Sequence, residues 1–453
     1  MRLALRSSLA CAACAVFAGA SARLPAQTPG SRVNEPITAE LALVTFDSAW
    51  RRIGATHYDT AMRGVDWAAV RDSLRPRAAQ ARTLGALRSV ITTMLETLGE
   101  SHFGLIPQEV ADGAAPDDDA PAGEPGDVGI DLRLVGESVV VSRVRRGSPA
   151  ELAGVRAGWI VDSVGRFGAA GARATLRTSG SPREPLRRMV RARAMGQFAG
   201  DAGTSVRAAF RDDRGRRVFR TLERAPLPGT PIRFSNLPTM VVAVEHEVRA
   251  IGGGRGCAGI LRFNLWLLPA VAQLDSAMDA LRHCDGIVVD IRGNIGGVGA
   301  MVMGVGGHFL DSAYTLGVMK TRSNTLRFVA NPRRANVSHA PVAPFAGPLA
   351  IVVDSLSMST SEIFAAGMQA IGRARVFGEH TPGLALPALL LRLPTGDILM
   401  HVMADFTDPT GRRVEGRGVV PDTVVPLTRR DLLAGRDAQL EAALAWIAGN
   451  RKS

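Results

Sequence analysis

Three short stretches hold the residues most able to do covalent chemistry. Ser357-Met-Ser-Thr-Ser-Glu362 gathers serines at the start of a helix-like run, and Gly99-Glu-Ser-His-Phe103 sets a serine beside a histidine. A serine hydroxyl is unreactive at neutral pH until a base takes its proton. Lysine is scarce, with only Lys320 and Lys452 in the chain, so the imidazole of His102, with an ordinary pKa of about 6.5, is the base that composition favours. The third stretch, Asp290-Ile-Arg-Gly-Asn-Ile-Gly-Gly297, follows an apolar run. Paired glycines let a backbone N–H approach a ligand oxygen without a side chain in the way, as an oxyanion hole requires. The stretch lacks Gly-Lys-Ser/Thr and Gly-x-Gly-x-x-Gly, which argues against a nucleotide. Ordinary helix capping is the plain alternative for the serines, as a cap or surface role is for His102. No His-Glu-x-x-His occurs and no cysteines stand at ligand spacing, so neither a metal nor a cofactor is expected.

The elements that must position these groups follow from periodicity. From residue 231 onward strand-like and helix-like runs alternate (259–263, 268–282, 286–291, 297–308, 349–353, 359–370 and 374–377), which predicts an α/β layer with a mostly parallel sheet. Reactive groups in such sheets lie at the carboxyl ends of strands, where both the glycine and the serine turns fall. Upstream, Leu41, Leu43, Phe46 and Trp50, then Leu84, Leu87, Val90, Ile91, Met94, Leu95 and Leu98, recur at helical spacing. Residues 35–108 therefore read as a helical domain. Residues 109–127, with Pro116, Pro121, Pro125 and three consecutive aspartates, read as a linker that should not pack.

Residues 128–226 change character to short alternating runs around Gly147-Ser-Pro-Ala-Glu-Leu-Ala-Gly-Val-Arg-Ala-Gly158. Ser148, Pro149 and Glu151 fit a capped helix start, and Gly154 and Gly158 its stop and a turn into a strand. This order resembles a PDZ domain. The resemblance implies an exposed strand edge that takes up a peptide by adding a strand, with the loop at Gly129, Ile130, Asp131 and Leu132 holding its terminal carboxylate. The alternative is a domain that only positions the catalytic part.

Four ordered motifs extend the comparison: Val289-Asp-Ile-Arg-Gly-Asn-x-Gly-Gly297, Val353-Asp-x-x-Ser-x-Ser-x-Ser-Glu362, Gly372-Arg-Ala-x-Val-Phe-Gly-Glu379 and Glu415-Gly-Arg-Gly-Val-Val-Pro-Asp422. Together they resemble the serine peptidases that include carboxyl-terminal processing proteases, the tricorn core protease and retinoid-binding-protein-like repeats. The resemblance implies an α/β multidomain chain: the helical domain, the PDZ-like β-rich domain, a ClpP/crotonase-like α/β catalytic domain over 231–430, and a C-terminal helix over 431–453. It makes Ser359 the nucleophile, with an oxyanion hole from Thr360 N–H and a glycine of the Gly296-Gly297 pair. The processing branch uses a lysine base at the position of Leu384, so that mechanism is absent. The tricorn-like branch uses a Ser-His pair and a late glutamate, matched by Ser101, His102 and Glu415. His102 is then the base, Ser101 orients it and Glu415 completes the network. His380, in Gly378-Glu-His-Thr-Pro-Gly383, is the competing base, read instead as a turn residue. Glu100 stands where related chains often have aspartate.

The first 27 residues carry Arg2 and Arg6, an apolar run over 9–20 and the small residues Ala20-Ser-Ala22, the order of a secretory signal peptide. Cys11 and Cys14 fall inside it; no leucine stands three positions before Cys14, against a lipoprotein reading. No later run approaches the ~18 apolar residues that cross a bilayer. The expected location is the periplasm or outside the cell. There Cys257 and Cys284, each shortly before a strand-like run, form either a disulfide or two buried thiols. The net charge of +12 invites a nucleic-acid reading. Scattered arginines and only 5% aromatic residues oppose it. The dense basic stretch 183–193 reads as a solvated helix face with some attraction for acidic partners. The leading expectation is an exported serine endopeptidase that cleaves polypeptides through an acyl-enzyme. Its alternative is a catalytically inactive peptide- or small-molecule-binding protein of the same fold.

Overall fold

The computed structural model describes residues 32–111, 124–178, 183–232 and 239–451. The signal segment and the centre of the linker lie outside the described residues.

A six-stranded sheet organises the second half of the chain. Its order is Val244–Ile251, Gly256–Phe263, Gly286–Asp290, Leu349–Val353, Arg375–Gly378 and Thr423–Val424. The first pair is antiparallel and all others are parallel. Every residue of Gly286–Asp290 and Leu349–Val353 is buried. Up to Asp290 they are continuous apolar runs, rather than alternating ones, because both sheet faces are covered. Leu274, Met278 and Leu281 of the helix Val271–Leu281 and Ile363 and Phe364 of Thr360–Ala370 pack with Leu261, Val289 and Ile351. On the other face Leu440, Leu444 and Ile447 of the C-terminal helix Ala438–Asn450 pack on Ile260, Val288 and Val352.

The middle region folds around its own core, with strand order Ile130–Val135, Ser138–Val144, Ile160–Val164, Ser205–Arg211 and Arg217–Glu223. Ser148 caps the short helix Pro149–Leu152 by accepting from Glu151 N–H at 3.3 Å. The long helix Arg183–Phe198 packs against the edge strand Ile130–Val135, and its Arg187 donates to the Leu134 carbonyl at 3.1 Å and to Gly136.

Two expectations need correction. The helical region (Ala39–Thr56, Trp67–Gln80, Leu84–Glu96) does not close its core alone: Leu393 and Leu399, from a hairpin some 300 residues later, complete it. Buried Arg88 ties the same junction by donating to Asp397 at 2.7 and 3.0 Å. The linker reading is too wide at both ends. Gln108–Ala111 is helical, with Glu109 held by Arg88, and Pro125–Asp127 is a strand between Gly200–Asp201 and Ala225–Pro226. Proline-rich composition signals a lack of core-forming side chains but is blind to backbone pairing and to ion pairs from distant segments.

Candidate active site

In-register pairing of Asp290 with Val352 brings the ends of two neighbouring strands together, so the turns that follow them must meet. Polar contacts then stitch the turns. Asp354 Oδ1 accepts the Gly293 and Leu356 N–H groups at 2.9 and 3.0 Å, and Ser357 Oγ donates to the Ile291 carbonyl at 2.8 Å. The Asn294 carbonyl accepts Met358 N–H and Ser361 Oγ, each at 3.0 Å. Asp290 is fully buried between the guanidinium groups of Arg262 and Arg292, which hold its carboxyl far below the usual range despite burial. Arg292 also reaches Asp437, the cap of the C-terminal helix, at 2.7 Å. The Asp-Ile-Arg part of the glycine motif is thus a brace for the turn.

Ser359 caps the helix Thr360–Ala370 with φ 56° and ψ −118°. That backbone is costly for a non-glycine residue and persists only where neighbours enforce it. Ser359 N–H is shared by the Leu384 carbonyl at 2.9 Å and Glu362 Oε2 at 3.1 Å. Its Oγ has no hydrogen-bond partner among the described residues. Gly296 packs directly behind it, where a Cβ would lie 2.7 Å from the Ser359 Cβ. Gly296 N–H is committed to Asn294 Oδ1 at 3.0 Å, whereas Gly297 N–H and Thr360 N–H have no acceptor among the described residues. Gly297 (φ 146°) is held by Thr360 Oγ1, which donates to its carbonyl at 2.9 Å.

The histidine arrives from the opposite side. The strand Gly104–Ile106 adds to the late hairpin Ala388–Arg392/Ile398–Val402, which fixes the turn that precedes it. Glu415 accepts Ser101 N–H at 3.1 Å, Ser101 Oγ at 2.9 Å and Ala385 N–H at 2.8 Å. Ser101 Oγ lies 2.7 Å from His102 Nδ1. With its one proton given to Glu415, Ser101 can only accept from Nδ1–H, and this leaves Nε2 with the lone pair. Nε2 is buried and has no partner among the described residues. Burial pulls the imidazole down to about 4, so it is neutral at pH 7, and burial pushes Glu415 up against its three donors. Glu100 is clamped by His57 Nε2 at 2.9 Å, Tyr58 OH at 2.5 Å and Arg413 at 3.0 Å. Arg413 and Glu415 thereby grip both sides of the base turn.

Leu384 stands beside the nucleophile, its carbonyl on Ser359 N–H, but offers no base. His380 is exposed and its Nε2 pairs with the Arg417 carbonyl at 2.6 Å. Gly129 N–H is taken by Asp127 Oδ1 at 2.9 Å, and on the Ile130–Val135 edge the Leu132 and Leu134 carbonyls accept Arg133 and Arg187. Asp131 is half-exposed beside Arg143. Cys257 and Cys284 are joined as a disulfide, with Cα atoms 5.0 Å apart. They and His283 form the one group of prospective metal ligands among the described residues, and both sulfurs are already consumed.

One residue of the site carried no assigned role in the sequence. Buried Glu362 accepts from Ser359 N, Thr381 Oγ1, Gly383 N and Leu384 N at 2.6–3.1 Å, fastening the 381–384 loop to the nucleophile turn, and burial pushes it up to about 7. The Ser-x-x-Glu spacing of a capping box was its available signal.

A mixed α/β multidomain fold with these stitched turns defines the class. Residues 258–425 match Peptidase family S41, and residues 42–96 match the Tricorn protease C1 domain. Together the two matches indicate a serine peptidase. It is 24% identical over 400 residues to carboxyl-terminal-processing peptidase 3, chloroplastic, of Arabidopsis thaliana, covering 87% of this chain and 70% of that one. In fold it is similar to a photosystem II D1 C-terminal processing protease (TM-score 0.57, 21% identity, 90% of this chain and 97% of the other). It is also similar in fold to the tricorn protease (TM-score 0.50, 18% identity, 91% of this chain and 37% of the other). Among the described residues no helix is long and apolar enough to cross a membrane.

Proposed function

We propose that the chain is an exported endopeptidase in which His102 Nε2 takes the Ser359 proton as Oγ attacks a peptide carbonyl. The observation that carries this reading is the unbroken Glu415–Ser101–His102 relay, which fixes the tautomer with its lone pair free. Gly297 and Thr360 N–H groups receive the oxyanion, a role that Gly296 N–H gives up to Asn294. The imidazolium formed is stabilised through Ser101 by Glu415 and then protonates the leaving amine; water, activated by the same imidazole, releases the acyl-enzyme. The disulfide supports export to an oxidising compartment. We assign 128–226 as PDZ-like and the six-stranded sheet region as ClpP/crotonase-like, with peptide taken up along Gly129–Leu132. A ligand there displaces Asp127 from Gly129 N–H.

The second reading, a binding protein of the same fold, has one observation in its favour. Ser359 Oγ and His102 Nε2 are both buried without partners among the described residues, so the proton-transfer pair is not made in this structure. Apo sites often tighten only around substrate. The test is incubation of the mature chain and its Ser359→Ala variant with unfolded polypeptides, with cut sites mapped by mass spectrometry, and fluorophosphonate labelling alongside. Cleavage and labelling that vanish with Ser359 are expected; neither in the unaltered chain would favour the binding protein.

A further inference from the structure

The basic stretch 183–193 is only in part the solvated face that composition suggests. The helix Arg183–Phe198 exposes Arg193 but turns Arg188 and Arg191 inward, each with a buried Nε. Neither guanidinium has a hydrogen-bond or ion-pair partner among the described residues. Arg188 lines a cavity of about 680 Å³ whose other walls include Ser101, His102, Leu384 and Glu415. The contrast within that cavity is informative. Arg88, also in its wall, is fully paired with Asp397 and Glu109. The negative groups that attract Arg188, Glu184 and Glu362, stay beyond ion-pair distance, and Glu184 sits nearer Arg187 at 3.4 Å. Glu100 is already engaged by Arg413, and Glu96 is exposed to water.

Arginine does not shed its charge at physiological pH, and a partly buried guanidinium without an anion gives up hydration for nothing. Burial lowers Arg188 from its ordinary value, and Arg191 to about 10. Among the described residues no anion complements Arg188, which leaves room for one brought by a ligand. At the competing site for a carboxylate, the loop at Gly129, the polar groups are already paired: Asp127 Oδ1 accepts from Gly129 N–H at 2.9 Å and from Arg145 at 2.6 Å.

We infer that Arg188 is a specificity residue that binds a peptide carboxylate in the cavity lined by His102 and Glu415, so the enzyme selects substrates with an acidic side chain or a free C-terminus near the bond presented to Ser359. The inference rests on the reading of this cavity as the substrate site. A planar, forked donor facing into a cavity beside the base suits bidentate capture of a carboxylate. Arg191, one turn further along, adds positive potential near Arg133 and Asp354.

Binding is measured first, in full-length Ser359→Ala chain, so turnover is not needed. The probes are fluorescein-labelled pentaalanine with a free C-terminus, its amide, and amidated peptides with one internal glutamate or glutamine. At least one carboxylate peptide is expected to bind about tenfold or more tightly than its neutral counterpart. That ratio should collapse in Arg188→Ala, recover in part in Arg188→Lys, and persist in Arg193→Ala, which removes an exposed arginine of the same helix. Preference for the free acid assigns a terminus, and preference for glutamate assigns a side chain. Equal affinities for acidic and neutral peptides, or a preference that survives Arg188→Ala, overturn the proposal. Thermal melts of the variants guard against misfolding. Cleavage and labelling of the unaltered chain are scored separately: labelling without any carboxylate preference sinks only the Arg188 site, and Arg188-dependent binding without labelling sinks only the peptidase.

Discussion

The turn that carries the nucleophile and the turn that carries the base are built in opposite ways. Residues 354–362 are held by their own strand, their own helix and the adjoining 290–297 turn, all within one sheet and largely buried. Residues 99–103 hang between regions, with Ser101 on Glu415 and Glu100 on Arg413, more than 300 residues away, and His57 and Tyr58 behind. The first turn stores strain at Ser359 and is rigid by construction. The second is held by polar contacts to distant segments, and it too has a residue in the left-handed region, His102 at φ 60°. Ser359 Oγ and His102 Nε2, both without a partner among the described residues, fit that division: each half is assembled, and the contact between them is not made.

The comparison breaks first at the base itself. His102→Ala is expected to lower kcat/KM by about a millionfold, as loss of a triad histidine does, with His380→Ala close to the unaltered enzyme; the reverse pattern would move the base to the exposed histidine. Damage to the rigid turn should come next. Gly296→Ala drives a methyl to 2.7 Å from the Ser359 Cβ, and displacement of the nucleophile on the order of 1 Å should cost roughly a hundredfold in kcat. A variant with full activity would show that the turn yields more easily than its buried stitching implies.

Smaller effects sharpen the difference. Glu100→Gln weakens the grip of Arg413 and His57 without touching Ser359, so kcat should fall about tenfold, with little change in the oxyanion contacts. An equal loss from a substitution of exposed Glu96 would deny Glu100 a positioning role. Last is pH. Catalysis needs neutral His102, and burial holds its pKa near 4. The acid limb of kcat/KM should therefore fall below pH 5, where an ordinary histidine enzyme has already lost activity; a midpoint at about 6.5 would show a hydrated imidazole in the free enzyme. The same shift acts on stability. Between about 4 and 6.5 the unfolded chain binds the extra proton, so stability is full above 6.5 and declines as pH falls towards 4, with His401 contributing in the same direction.

Much of the nucleophile turn was legible because its parts are close in sequence. A strand, two glycines, a serine at a helix start and Glu362 three residues on are local signals with local causes. His102 was favoured by the scarcity of lysine, but its partnership with Ser101 and Glu415 was legible only through the family resemblance, since nothing in the spacing of residues 102 and 415 makes them neighbours. The arginine helix was misread because charge pattern reports which faces a helix has and not what stands opposite them. The helical region was read as a separate domain because a helical period carries no record of a hairpin that fills its core from afar.

The amino-acid sequence by itself determined the chemistry on offer: a serine nucleophile without a lysine base, paired glycines for an oxyanion, and cysteines whose placement before neighbouring strands allowed a bridge. Tertiary structure alone decided which N–H of the glycine pair is left without an acceptor among the described residues, which nitrogen of His102 holds the lone pair, and that Arg188 lines the cavity with no partner among those residues. These depend on hydrogen-bond partners brought in from the far end of the chain. Residue type fixes how many bonds a group can make, and only packing decides which of them are already spent.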